Sequence, residues 1–406
     1  MKKAYVAQAM TKGLFCAVTI GALAGAGIAL GQARPPIKVG LVQHLSGPVA
    51  PYGVSMKVGA ELAIKEINAA GGVAGRQLQV FAADDRSDVT SSVTEATRLV
   101  SSEKIDIMLT PSVSQATLAI LPILTKANIA GMGLSGSEAL TPAVGPYFFS
   151  SYVSSDVSVA YMARYVAQTM KAKSVAVIGD GGSNTKYSVQ ALRKELGAQN
   201  ISMTGVEEYQ YQANDMTPQL LNLRRGNPEV VLLFSSIGTD TGNVLKGLSE
   251  IGWNVKVVGS VATGNTSAAA IKIAGPAAFK NAVAVNFRAF SFCPNDSTAS
   301  RTSDFIKKLN DANPSMAGKL FYPQAASYYD AVYLYKAAIE GTGGKTDGTS
   351  IAAWVLDKGK SLSGILLANP TPTKTDHFLV SLDALTMTRM EQERADDRMQ
   401  MRADCK

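Results

Sequence analysis

Short apolar runs alternate with segments of helical spacing along most of the chain. The segment after the first run, residues 54–70, places Ala63, Ile64 and Ile67 on one helical face. A second helix is predicted to begin at Asp88, a residue type that caps helix N-termini. The four apolar runs, predicted as strands, are residues 37–42, 77–82, 105–110 and 129–134. Because buried strands that alternate with helices favour parallel sheets covered on both faces, this region predicts a doubly wound α/β unit.

A second series of the same kind begins near residue 175. Its predicted strands are residues 175–178, 202–209, 230–234, 255–259 and 282–285. Segments with helical spacing separate them. Two such series in one chain predict two doubly wound, Rossmann-like lobes.

The chain becomes polar from residue 387 onward. Arg394, Arg398, Arg402 and Lys406 are spaced four residues apart, with acidic residues beside them. This spacing predicts a solvated helix face stabilised by i,i+4 pairs. A partner-binding role for this tail is the alternative interpretation.

The first 33 residues have the pattern of a secretory signal peptide. Lys2, Lys3 and Lys12 precede an apolar stretch over residues 14–30, and small residues follow as far as Ala33. The alternative is a membrane anchor, but a glycine-containing stretch of this length spans a ~30 Å bilayer poorly. We therefore expect cleavage near residue 33 and an exported, soluble mature chain.

Composition narrows the class of protein. Hydrophobic residues make up 46% of the chain and charged residues 17%, which favours a large folded core over disorder. A net charge of +7 is too small to indicate a nucleic-acid partner. The histidines and cysteines lie far apart in sequence, which argues against a zinc site. Cys293 and Cys405 can pair in an oxidising compartment or remain free thiols, and the sequence leaves both open.

The motifs of common enzymes are missing. The sequence has neither a Walker phosphate loop nor a Gly-x-Ser-x-Gly elbow. Its only histidines are His44 and His377, so histidine-based catalysis has few candidates. His44 follows a predicted strand, where it either lines a cleft or is packed in the protein. The adjacent Asp84 and Asp85 are interpreted as turn and capping residues, because neighbours in a strand face opposite sides.

Several short sequences occur in a fixed order after the signal peptide. They are IKVGLV at 37–42, LSGPVA at 45–50, YG at 52–53, INAAGGVAGR at 67–76 and DD at 84–85. In this order they resemble the periplasmic leucine/isoleucine/valine-binding protein family. The resemblance covers almost all of the mature chain and fades after about residue 364.

The resemblance implies a type I periplasmic binding fold, in which two α/β lobes are joined by three hinge crossings and close around a ligand. The crossings are expected near residues 152, 286 and 363. The first lobe then comprises residues 34–152 and 287–363. The second comprises residues 153–286 and 364–386, followed by a polar tail at 387–406.

The resemblance also implies a carboxylate site at two strand ends of the first lobe. Backbone N–H groups and hydroxyls at a strand-to-helix junction can hold an anion. Capping of the helix is the alternative role for the serines, and an exposed surface position is the alternative for the tyrosine. The predicted first-lobe residues are Ser112, Ser114, Leu134, Ser135, Gly136, Ser137 and Tyr52, which would cover the ligand.

The second lobe departs from the family pattern. Asn184 and Ile237 stand where the family often has aromatic residues, and Val261 lies where amino-acid binders carry an acid for the α-ammonium group. Asp180 or Asp240 can replace that acid. Otherwise a buried ammonium group would be costly, which favours an amide or an acid without an ammonium group, such as an aromatic carboxylate. Tyr322 is predicted to add a further cleft wall.

The resemblance thus implies a solute-binding protein of an ABC importer in a Gram-negative periplasm. It would bind a small carboxylate-bearing solute, act as a monomer without a cofactor, and deliver the solute to permease subunits in the inner membrane. No nucleic-acid partner is expected. The alternatives are a ligand-sensing module of the same fold that acts with a receptor, and an exported α/β enzyme.

Overall fold

Two sheets form the core of the protein and confirm the predicted two-lobed α/β class. The structure, a computed structural model, describes residues 34–296, 300–367, 369–394 and 397–405, without the side chains of residues 183 and 184. The predicted signal peptide lies outside the described residues. Within the described ranges, no helix combines the length and apolar character needed to cross a bilayer.

The first sheet is entirely parallel, with strand order β2-β1-β3-β4-β5. Strands β1, β3, β4 and β5 are almost fully buried, as continuous apolar runs between helical layers require, whereas the edge strand β2 is partly exposed. The strands are β1 Ile37–Gln43, β2 Leu78–Asp84, β3 Ile107–Leu109, β4 Ala130–Gly133 and β5 Phe148–Ser150.

The second sheet has the order β11-β13-β12-β10-β9-β8-β6-β7. Its centre is parallel, and β12 runs antiparallel to β10. The strands are β6 Ser174–Gly179, β7 Ser202–Glu208, β8 Val230–Phe234, β9 Lys256–Gly259, β10 Ala282–Phe287, β11 Ser291–Phe292, β12 Leu385–Glu393 and β13 Gln400–Arg402.

Helices cover the sheets and begin where local sequence favours it. Asp88 accepts a hydrogen bond from the backbone N–H of Ser91, which confirms it as an N-cap. Pro51 occupies the first turn of α1, where its missing N–H costs little. The helices are α1 Ala50–Ala69, α2 Val89–Arg98, α3 Ser114–Ala127, α4 Ser155–Arg164, α5 Ser183–Gly197, α6 Thr217–Arg225, α7 Gly238–Glu250, α8 Val261–Asn265, α9 Ser267–Ala274, α10 Arg301–Ala312, α11 Tyr322–Gly341 and α12 Gly348–Lys358.

The first lobe draws on distant parts of the chain. Helix α11 packs against α1 so closely that a Cβ atom at Gly59 would overlap the carbonyl oxygen of Ala325. The sequence assigns residues 364–386 to the second lobe, yet Phe378 pairs with Ser150 at the edge of the first sheet. The remaining lobe boundaries stay predictions.

The predicted helix in the C-terminal tail is wrong. Residues of the tail form β12 and β13 in the second sheet, with Met387 and Met390 buried. Of the charges that suggested helical pairing, Arg394 and Arg398 lie between these strands, where Arg398 contacts Glu393 at 3.0 Å, and Arg402 lies in β13. Cys405 forms a disulfide with Cys293, which ties the end of the tail to the segment after β11.

Candidate functional site

A cavity of about 350 Å³ lies where the carboxyl ends of the two sheets face each other. Ligands of open α/β sheets bind at such strand ends, and this volume lies within the range of about 300–1,000 Å³ typical of small-molecule sites. From the first lobe it is lined by Tyr52, Ser112, Ser114, Leu134, Ser135 and Gln324. From the second lobe and the first crossing it is lined by Tyr152, Phe234, Ser236, Ser260, Val261 and Asn265.

The loop before α3 and the first residue of α3 line this cavity with Ser112, Val113 and Ser114. The helix begins at Ser114, and its N-cap residue, Val113, makes no side-chain capping bond. Because the first N–H groups of a helix have no acceptor within the helix, they are available to an anion. The Ser114 hydroxyl lies 2.8 Å from that of Ser135. Ser150 fixes Ser135 in turn, since its hydroxyl donates to the Ser135 carbonyl at 2.6 Å.

A buried histidine hydrogen-bonds to the loop before α3. His44 Nδ1 lies 2.6 Å from Asp85 Oδ1, and Nε2 accepts the backbone N–H of Val113 at 3.4 Å. An accepting Nε2 assigns the ring proton to Nδ1, which donates to Asp85. His44 is 1% exposed and does not line the cavity, so the packed interpretation is confirmed. Asp84 accepts the backbone N–H groups of Leu45 and Ser46, which confirms its turn role.

Two tyrosines add neutral hydroxyls to the cavity. Tyr52 is half-buried and stacks on Phe321 with ring centroids 4.3 Å apart. Burial raises the pKa of Tyr52 to about 12. Burial also raises the pKa of Tyr152 well above its usual value. Both phenols therefore stay protonated at neutral pH, and neither hydroxyl has a partner among the residues that the structure describes.

Most of the predicted site residues meet at the cavity. The seven that line it are Tyr52, Ser112, Ser114, Leu134, Ser135, Gly136 and Val261. Their role in ligand binding stays a prediction, but their placement agrees with it.

The other predicted residues lie elsewhere. The Ser137 hydroxyl accepts the N–H of Ala139 in the following turn, and Ile237 is the N-cap of α7. Tyr322 is buried, and its hydroxyl donates to Asn310 at 2.9 Å, so it forms no wall of this cavity. Asn184 lies in the first turn of α5, and its side chain is outside those described.

Sequence reasoning missed several lining residues. Ser236 and Ser260 lie within two residues of the ends of predicted strands, so the strand ends of the second lobe could have indicated them. Tyr152 lies at the predicted first crossing. Gln324, in the first turn of α11, gave no local signal, since it reaches the cavity only through the packing of α11 on α1.

The two candidate replacement acids do not line the cavity, although Asp180 lies directly behind the cavity-lining Ser236. Asp180 accepts hydrogen bonds from the hydroxyls of Ser236 at 2.5 Å and Thr185 at 2.7 Å. Asp240 accepts the backbone N–H of Gln212 at 3.1 Å, and burial raises its pKa. Neither is among the cavity-lining residues.

A larger groove, of about 850 Å³, lies between α10, α11 and the segment 362–365. Its lysines are already paired with acids; Lys308 lies 3.0 Å from Glu66, for example. Burial alone would raise the pKa of Glu66. Hydrogen bonds from Tyr329, Lys308 and Tyr333 outweigh it, so the pKa of Glu66 is lowered overall. Its lining shares no residue with the cavity at the strand ends.

Comparisons with known proteins agree with this geometry. A family model described as "Periplasmic binding protein" matches residues 36–379. The chain is 27% identical over 334 residues to a Leu/Ile/Val-binding protein of Rhizobium johnstonii, covering 80% of this chain and 84% of the relative. It is 25% identical over 255 residues to the Leu/Ile/Val-binding protein of Escherichia coli, covering 61% and 66%.

Solved structures show the same fold. A branched-chain amino acid transporter substrate-binding protein from Streptococcus pneumoniae, in complex with isoleucine, superposes with a TM-score of 0.73 at 21% identity. The match covers 88% of this chain and 97% of that one. An extracellular ligand-binding receptor from Rhodopseudomonas palustris superposes with a TM-score of 0.74 at 20% identity, covering 90% and 99%.

Proposed function

The chain belongs to the periplasmic binding protein family, and on that premise we propose that it is the substrate-binding protein of an ABC importer. It captures a small carboxylate-bearing solute between its lobes and delivers it to permease subunits in the inner membrane. The protein works as a monomer without a cofactor. Closure of the lobes by hinge motion follows from a ligand that contacts both of them.

The observation that carries this proposal is the uncapped start of α3 at the cavity. The backbone N–H of Ser114, with the hydroxyls of Ser114 and Ser135, forms a small anion site at the carboxyl end of the first sheet. The second lobe faces the same cavity with Phe234, Ser260 and Val261. One solute can therefore bridge the lobes while its carboxylate stays on the first.

An enzymatic role has little support in the residues described. The cavity-lining residues include serines but no histidine, cysteine or acid to serve as their base. His44 and Asp85 form a base-and-acid pair, but Nε2 of His44 faces the N–H of Val113 and not a hydroxyl. This arrangement supports a positioning role beneath the anion site.

Calorimetry and thermal shift on purified residues 34–406 test the proposal. The panel contains amino acids, aliphatic and aromatic carboxylates, and amides. A solute at 100 times its dissociation constant should stabilise the native state by about 2.7 kcal/mol. Binding of a carboxylate, with no turnover of the bound solute, supports the proposal. Binding by no carboxylate, or consumption of one, would contradict it.

Export is tested separately. Expression of the full chain in a Gram-negative host should yield a periplasmic form whose N-terminus, read by mass spectrometry, begins near Arg34. Retention of the first 33 residues in the membrane fraction would favour the anchor alternative.

A further inference from the structure

We propose that the cavity selects a carboxylate that carries no ammonium group and whose remaining polar group is a neutral hydroxyl or amide. This inference rests on the proposed function, because it takes the anion site at α3 as the place of the carboxylate. Three independent features of the cavity support it.

First, no charged side chain is present among the described residues that line the cavity. A buried ammonium group needs a counter-charge, since burial of an unpaired charge is far more costly than burial of a polar neutral group. The nearby acids lie outside the cavity lining and accept hydrogen bonds from neutral groups of the protein. Asp180 and Asp240 have the partners described above. Asp156 accepts the Tyr187 hydroxyl at 3.0 Å, and Glu138 accepts the Asp156 N–H at 2.9 Å.

Second, helices present their positive ends to the cavity. The residues at the starts of α1, α3 and α4 all contribute to its lining. The N-terminal half-charge of a helix favours an anion and opposes a cation within the first turn. The first turn of α4 is already satisfied, because Val157 N–H donates to the Ser154 hydroxyl. The start of α3 lacks a side-chain cap, so the anion belongs there and a cation has no favoured place.

Third, a buried amide oxygen in the cavity lacks a partner. Gln324 is 3% exposed and lines the cavity, and its Oε1 accepts no hydrogen bond. Buried acceptors are normally satisfied by protein, water or ligand, so the Gln324 amide is suited to a ligand that brings a donor to this wall of the cavity. One amide oxygen satisfies a hydroxyl or an amide N–H completely but does not neutralise an ammonium group. The free hydroxyls of Tyr52 and Tyr152 are likewise suited to neutral partners.

The test compares matched pairs of ligands that differ only in the ammonium group. Leucine is paired with 4-methylpentanoate, phenylalanine with 3-phenylpropanoate, and tyrosine with 3-(4-hydroxyphenyl)propanoate. Calorimetry on residues 34–406 should show each bound acid at least about ten-fold tighter than its amino acid. The hydroxylated acid should bind more tightly than its phenyl counterpart.

The outcomes separate the inference from the proposed function. Equal or tighter binding of the amino acids would overturn the inference but leave a carboxylate-binding transport protein in place. Equal binding of 4-methylpentanamide and 4-methylpentanoate would show that the carboxylate is not recognised. That result would contradict carboxylate binding in both the inference and the proposed function. Binding by no member of any pair would overturn the inference and remove the main support of the proposed function.

Discussion

The hydroxyl of Ser114 lies 2.8 Å from that of Ser135, which joins the loops that follow β3 and β4. The two serines belong to different strand ends and different helical connections, yet they meet at one point of the cavity. This contact, together with the Ser150 hydroxyl that donates to the Ser135 carbonyl, places two hydroxyl groups beside the uncapped start of α3. The anion site is thus formed largely before a ligand arrives.

Removal of either hydroxyl should weaken binding of a carboxylate. Hydrogen bonds to charged groups contribute about 1.5–3 kcal/mol, so Ser114→Ala and Ser135→Ala should each lower affinity about ten-fold or more. Calorimetry of both variants and of the double variant measures this loss and the coupling between the serines. Ser137→Ala is the matched control, because Ser137 lies outside the cavity and should leave affinity unchanged. An equal loss in Ser137→Ala would contradict the assignment.

An added carboxylate at Ser260 should shift the preference from acids toward amino acids. Ser260 caps α8 by accepting the N–H of Thr263, and Asp and Asn both cap helices well. Ser260→Asp therefore keeps the helix start and adds a negative charge at the cavity. We expect the ratio of leucine to 4-methylpentanoate affinity to rise about ten-fold or more.

The neutral variant Ser260→Asn is the control for this experiment. It has the same size and the same capping ability, so its affinity ratio should stay near that of the wild type. Equal shifts in both variants would indicate a steric effect and would remove the electrostatic explanation.

The first-lobe half of the site could be predicted from sequence because it depends on short-range features. A buried strand, a serine-containing turn and a helix start are contiguous along the chain, and the structure forms these elements close to their predicted positions. Ser114 and Ser135 are examples. The rest of the site depends on how longer connections fold and pack, so the predicted places of Ile237 and Tyr322 in the cleft are wrong.

Long-range pairing explains the other differences. The charge spacing of Arg394 and Arg398 satisfies a local helical rule, but β12 is fixed by antiparallel pairing with β10, about a hundred residues earlier. Gln324 reaches the cavity only because α11 packs against α1. Neither the pairing of β12 with β10 nor the packing of α11 on α1 can be predicted from a short window of sequence.

Replacement of Gln324 should separate stability from binding. The unpartnered Oε1 is a desolvated acceptor, and such groups cost about 1–3 kcal/mol. Gln324→Met keeps the length of the side chain and removes the acceptor, so the ligand-free protein should unfold at a higher urea concentration. Affinity for the hydroxylated acid should fall toward that for 3-phenylpropanoate.

Gln219 provides the control, since its Oε1 is also buried without a partner but lies on α6, away from the cavity. Gln219→Met should raise stability and leave ligand affinity unchanged. Weaker binding by Gln219→Met, or unaltered binding by Gln324→Met, would contradict a ligand-contacting role for Gln324.

Asp330 should give the protein a component of stability that is lost as pH rises. The side chain is 1% exposed, and burial raises its pKa to about 6, although the N–H groups of residues 365–367 hydrogen-bond to it. Between the unfolded value of 3.8 and about 6, the native state therefore holds a proton that the unfolded state has released. The free energy of unfolding falls with rising pH over this interval, by at most about 3 kcal/mol at 1.36 kcal/mol per unit.

Asp330→Asn isolates this component, because it removes the titrating group and leaves every other carboxyl in place. Urea unfolding of both proteins at pH 4, 5, 6 and 7 gives the difference in their free energies of unfolding. Asn cannot accept all three N–H groups, so the variant is less stable at every pH, and the wild-type advantage should shrink from pH 4 to pH 6. An advantage that instead grows over this interval would mean that the three N–H groups outweigh burial and that the carboxylate form holds residues 365–367 in place.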